Sequence, residues 1–219
     1  MPNSKRKFGR IVSKHKALSA IFLIVATILA IYTSLVLASQ SYDRSDPRAK
    51  PNSYHSVEEV VIDRPVEDVF RFIQYDIPAV YTRLSPMHEK FEIVNAGALT
   101  VGAEIDCVEG DDREIVRNRY VVTEVIENRR IAMSSTPTRV YNRDTGKLTT
   151  EVNVYDYFDF VPLGPNRTRL TQTVVLDMKN PFIKALIDII AFLTGTRDDW
   201  EQQFREQNKN LAAFAEDAL

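Results

Sequence analysis

Six runs rich in β-branched and aromatic residues succeed one another through short gaps: Glu89–Ala96, Ala103–Glu109, Arg113–Ile126, Arg130–Ser135, Leu148–Val161 and Thr168–Met178. The gaps hold Gly97, Gly102, Gly110, Gly146 and Pro162, residues that supply the backbone conformations of tight turns. Parallel neighbours need crossovers of a dozen or more residues, so hairpin-length gaps predict an antiparallel meander. Arg139–Arg143 and Leu148–Val154 are expected to form a hairpin extending past the main sheet.

Helices bracket these strands. Val57–Asp63 reads as a first strand that stops at Arg64-Pro65. Val66, Val69, Phe70 and Ile73 then recur at i, i+3, i+4, i+7, the spacing of a helix with one buried face. Pro65 suits the start of such a helix, because its missing N–H would be unbonded there anyway. A second short helix is expected from Ile77 to Leu84, before Pro86. After the meander, Pro181–Leu193 is almost wholly apolar, and Trp200, Phe204, Gln207, Leu211 and Phe214 mark the stripe of a longer amphipathic helix.

The N-terminal region obeys a different grammar. Lys5, Arg6, Lys7, Arg10, Lys14 and Lys16 fall within residues 1–16, which contain no acidic side chain. Ala17–Ala38 is then uncharged, and as a helix it would reach ~33 Å, enough for a hydrocarbon core of about 30 Å. The expectation is one transmembrane anchor with its basic end cytoplasmic and the domain outside. A cleaved signal peptide, with Val36-Leu37-Ala38 as its cleavage site, is the alternative, although the apolar stretch exceeds the usual ~7–15 residues. Residues 39–55, rich in Ser with Pro47 and Pro51, read as a flexible linker to a domain at 56–217.

From Asn52 onward the chain carries 19 basic and 28 acidic residues. That balance argues against nucleic acid, whose binding requires Lys and Arg against phosphates. A single cysteine, Cys107, excludes an internal disulfide and a cysteine-cluster metal site, and three histidines leave few ligands for structural zinc. No cofactor is implied.

The order of these elements resembles the START-like (SRPBCC) helix-grip superfamily, in particular its polyketide cyclase/dehydrase-like branch. The resemblance is carried by VEEVVIDRPVEDVFRFI (Val57–Ile73), Gly102, VVTEVIENRRIAM (Val121–Met133) and RTRLTQTVVL (Arg167–Leu176), and it covers about Ser56 to Glu216. It implies an α+β domain whose curved antiparallel sheet wraps around a long C-terminal helix and encloses a cavity. It also implies a hydrophobic or lipid-like small molecule as the partner. Carriers, enzymes and sensors share such a fold, so function must come from the residues of the cavity.

Strand alternation nominates those residues. Ala103, Ile105 and Cys107 share one face. On the next strand Arg117 and Arg119 oppose Asn118 and Tyr120. Val152, Val154, Asp156, Phe158 and Phe160 read as core-facing against Tyr155 and Tyr157, which makes Asp156 the odd member and sends it in search of a partner such as Arg117 or Arg119. Arg117, Arg119, Tyr120, Tyr155, Ile187 and Trp200 are therefore the candidate ligand-binding residues. The competing reading places the arginines in cross-strand ion pairs on the outer face and Trp200 in the core.

No nucleophile elbow, HExxH or phosphate loop is present. If the domain is an enzyme of cyclase or dehydratase type, His88, Asp156 and Tyr157 are the available acid–base groups, with His88 expected in a loop. Asp111-Asp112 and Asp198-Asp199 read as turn and helix-start acids. The leading expectation is a membrane-anchored binding or transfer protein for a hydrophobic small molecule, with Pro181–Leu193 and its Ile187 as a lid. A membrane-tethered protein–protein module is the third possibility, and the sequence names no protein partner.

Overall fold

The computed structural model describes residues 23–34, 53–178, 184–185, 189 and 196–218. Its strands are β1 (Ser53–Ile62), β2 (His88–Ile93), β3 (Glu104–Gly110), β4 (Glu114–Ile126), β5 (Arg130–Asn142), β6 (Leu148–Gly164) and β7 (Arg167–Asp177). Its helices are α1 (Val66–Arg71), α2 (Ile77–Leu84) and α3 (Thr196–Asp217). All seven strands form one antiparallel sheet in the order β1-β7-β6-β5-β4-β3-β2. Five hairpins therefore run from β2 to β7, and β1 returns beside β7. Register shifts in β2, β4, β5 and β6 bend the sheet, since each extra residue increases the local twist.

Several boundaries move from their expected places. β1 begins at Ser53, so residues 53–55, assigned above to a linker, pair with Asp177, Leu176 and Val175. β5 runs through Pro137 on a cis peptide bond, and the hairpin expected beyond the sheet is the continuous end of β5 and β6. Residues 23–34, part of the expected span at 17–38, are helical. Among the described residues no helix is long and apolar enough to cross a membrane, and 17–22 and 35–38 lie outside them.

Between α1 and α2 the chain adopts a π-helical turn, Phe72–Asp76. Pro78, near the start of α2, has no N–H to give the carbonyl four residues earlier and its ring crowds that group. The freed Gln74 carbonyl accepts instead from the Leu99 N–H at 2.9 Å. One proline thus ties the helical pair to the loop before β3. α3 packs on β1 and touches α2, where Asn210 Nδ2 donates to the Leu84 carbonyl at 2.9 Å. Leu211 and Ala215 join Ile62, Phe72, Ile73, Leu99, Ile105, Ile131 and Leu170 in one core between sheet and helices.

Candidate functional site

The concave face of the sheet, α2 and α3 enclose a cavity of about 240 Å³. Its α3 wall is made by Trp200, Phe204, Gln207 and Leu211, which belong to the stripe expected for this helix, together with Gln203. Trp200 stacks parallel to Phe204 with centroids 5.9 Å apart and meets Tyr54 edge-on at 5.6 Å. It both packs and lines the cavity, so the two expectations for Trp200 are compatible.

Alternation sorts three strands into faces as expected, and the structure decides for β4, where the sequence left the inward face open. Ile105 and Cys107 on β3, Asn118 and Tyr120 on β4, and Val154, Asp156 and Phe158 on β6 are buried on the inner side. Arg117 and Arg119 are exposed, and period two sends them outward. Arg119 binds Glu104 at 2.8 Å and also Asp106, so neither arginine is the partner of Asp156. The residues expected to act together, Arg117, Arg119, Tyr120, Tyr155, Tyr157 and Asp156, are thereby divided: Tyr120 and Asp156 line the cavity and the other four do not. Tyr155 is half-buried and Tyr157 buried beside Ala132 and Val175, in a small apolar cluster on the outer side. Ile187 and the rest of the expected lid lie outside the described residues, apart from Lys184, Ala185 and Ile189.

Asp156 finds its partner on β7. Gln172 Nε2 donates to both carboxylate oxygens, at 3.0 and 3.2 Å, and Gln172 Oε1 accepts from Asn208 Nδ2 of α3 at 3.0 Å. A neutral chain of amides supports the acid where a cation would be expected. Burial accordingly pushes the Asp156 carboxyl from 3.8 up to about 7; Gln172 opposes the rise and the charge of Glu109 adds to it. Near neutral pH this group is divided between acid and carboxylate.

A second polar cluster forms where α2 meets β2 and β3. His88 is the first residue of β2 rather than a loop residue, and it is buried. Its ring stacks on Tyr81 with centroids 4.0 Å apart, and Nδ1 lies 2.9 Å from the Tyr81 carbonyl. A carbonyl only accepts, so Nδ1 carries the proton and Nε2 points toward Glu109, 3.9 Å away. The Tyr81 hydroxyl donates to Glu109 and lies 3.3 Å from Cys107 Sγ. Burial raises Tyr81 and Cys107 well above their ordinary values, reinforced at both by the negative charge of Glu109, so the phenol and thiol stay protonated. Beside them Thr138 Oγ1 donates to Asn118 Oδ1 at 2.5 Å.

Sequence reasoning missed Tyr81, Glu109 and Gln172. Glu109 carried a signal, since it shares the parity of Ile105 and Cys107 and is the carboxylate on that face. Gln172 likewise shares parity with Leu170 and Val174. Tyr81 had none beyond the apolar stripe of its helix. Asp111, by contrast, is the turn acid expected: its Oδ1 accepts the Arg113 and Glu114 N–H groups at 2.7 and 2.8 Å.

No family model and no curated protein matches this chain. Solved structures similar to it include an Arthrobacter aurescens protein, at 20% identity over 82% of this chain and 92% of that one, with a TM-score of 0.50. A Helicobacter pylori protein aligns at 11% identity over 74% of this chain and 88% of that one, also with a TM-score of 0.50. Ara h 8.0201 aligns at 14% identity over 74% and 97%, with a TM-score of 0.48. The likeness is one of fold: the helix-grip arrangement.

Proposed function

We propose that the domain binds a hydrophobic or amphipathic small molecule in the cavity beneath α3. One observation carries this reading: a cavity of about 240 Å³, walled largely by apolar and aromatic side chains, on which a few polar groups converge. Small-molecule sites have that composition, and this one is slightly smaller than the usual ~300–1,000 Å³, which favours a compact ligand. Native mass spectrometry of delipidated protein incubated with membrane extract tests it. A stoichiometric adduct is expected; no added mass overturns the reading.

We also propose that residues 17–38 tether the domain to a membrane with the domain outside and residues 39–52 as spacer. The uncharged sequence supports this. So do the hydroxyls of Thr27, Thr33 and Ser34, each of which donates to a carbonyl four residues back and so needs no water. Retention of the chain in the membrane pellet after alkaline washing is expected, with release of a chain starting at residue 39.

The cyclase/dehydratase-like reading has one observation in its favour: His88 and Asp156 both line the cavity, and Asp156 titrates near neutrality. Tyr157 drops out of that reading, being on the other face. Loss of the mass of water from a bound molecule during incubation, abolished by Asp156→Asn, would support it; an adduct of constant mass favours simple binding.

A further inference from the structure

The charge inventory of the cavity narrows the class of ligand, an inference that rests on the cavity being a ligand site. Two carboxyl groups reach it, Glu109 and Asp156, and among the described residues lining it none is Lys or Arg. The arginines of the neighbouring strands, Arg117, Arg119 and Arg139, alternate outward and are exposed. His88 is the nearest group able to carry a positive charge, and its Nε2 stands beyond hydrogen-bond reach of Glu109. The Glu109 side chain is 31% exposed, reachable rather than sealed in the core. Its negative charge is felt at Tyr81, Cys107, Tyr120 and Asp156, and at each it favours the protonated form. Among the described residues the cavity is thus lined by two acidic groups and no Lys or Arg, with His88, 3.9 Å from Glu109, as the side chain able to offset them. The aromatic side chains of Phe91, Tyr120, Phe158, Trp200 and Phe204 also line the cavity, and aromatic faces attract cations.

We propose that the cavity selects an organic cation, a protonated amine on a compact apolar or aromatic body, with Glu109 as its charge partner, and discriminates against carboxylates of the same shape. An ammonium entering this space gains Glu109 and the ring faces in place of the water it leaves. A carboxylate meets the like charge of Glu109 with no Lys or Arg among the described lining residues, and a neutral alcohol gains neither term.

Decylamine, decanol and decanoate share one chain and differ only at the head, so calorimetric titration at about pH 7 isolates the charge. The expected order is decylamine tightest, by about tenfold or more over decanol, with decanoate weakest. Glu109→Gln, checked for folding by circular dichroism, should lower decylamine affinity about tenfold and leave decanol unchanged. Decanol or decanoate binding as tightly as decylamine to the wild-type protein overturns cation selection while leaving the cavity reading intact, and this ranking decides even if the variant folds poorly. A folded Glu109→Gln protein that keeps the full preference for decylamine overturns the role given to Glu109. If none of the three binds and membrane extract yields no adduct, the cavity reading itself fails.

Discussion

The two faces of the sheet handle charge in opposite ways. Outside, Arg119 holds Glu104 and Asp106, Lys90 holds Glu92 and Asp106, Arg130 holds Asp159 and Arg139 holds Glu151. Inside, Asp156 is held by an amide and Glu109 by a phenol. The outer ions are numerous, paired with Lys or Arg and hydrated; among the described residues the inner carboxyls have no Lys or Arg beside them, and Glu109 stands 3.9 Å from His88 Nε2. Water makes an outer pair worth little, whereas the low-dielectric interior makes a single inner carboxyl worth much. Where a charge lies therefore matters more than how many there are.

The largest expected effect is on Asp156. Its folded value of about 7 lies above the ordinary 3.8, so the folded state binds this proton more tightly than the unfolded chain does. The stabilisation is complete below about pH 4 and is lost as pH rises through about 7. Asp156→Asn should have stability close to wild type in acid and exceed it by about 2–4 kcal/mol at pH 8. Urea denaturation of both proteins across that range checks the sign. A difference that does not grow with pH would erase the contrast between the faces.

Next comes the amide support. Gln172→Leu removes the side-chain donor of the carboxylate and one of the two acceptors of Asn208 Nδ2, the other being the Phe204 carbonyl. A loss of about 1–3 kcal/mol is expected at pH 8, shrinking in acid where Asp156 is protonated. The same urea series reads it.

The smallest effect belongs to the outer face. Arg119 is about half exposed, and although Asp106 is held below its ordinary carboxylate value by the Arg119 hydrogen bond, solvent screens the pair. Arg119→Ala should shift the urea midpoint little or not at all, and by nothing measurable in 1 M salt. A cost as large as that of Gln172→Leu would show that the ladder clamps the sheet.

Asp156 is only half legible in the sequence. Alternation marked it as the polar member of an inward set, and the structure keeps it there. Its partner was sought among arginines because opposite charge is the commonest support for a buried carboxylate. The partner lay two positions along from a leucine of the adjacent strand, and nothing in one strand's pattern states which residue of another comes within 3 Å. His88 was misplaced for a related reason. A single residue at a strand edge has no periodicity to read, and its burial depends on Tyr81 stacking over it.

What the sequence by itself determined was local and periodic: turn residues that demanded hairpins, alternation that sorted strands into two faces, and helical stripes that gave α1 and α3 one buried side each. These follow from backbone geometry, which acts within a few residues. The tertiary structure alone decided which inward residues meet. Pro78 frees a carbonyl for Leu99, α2 lowers Tyr81 onto Glu109, and α3 brings Asn208 to Gln172. Those contacts join residues far apart in the chain, and they exist only because burying apolar surface packs the helices against a bent sheet.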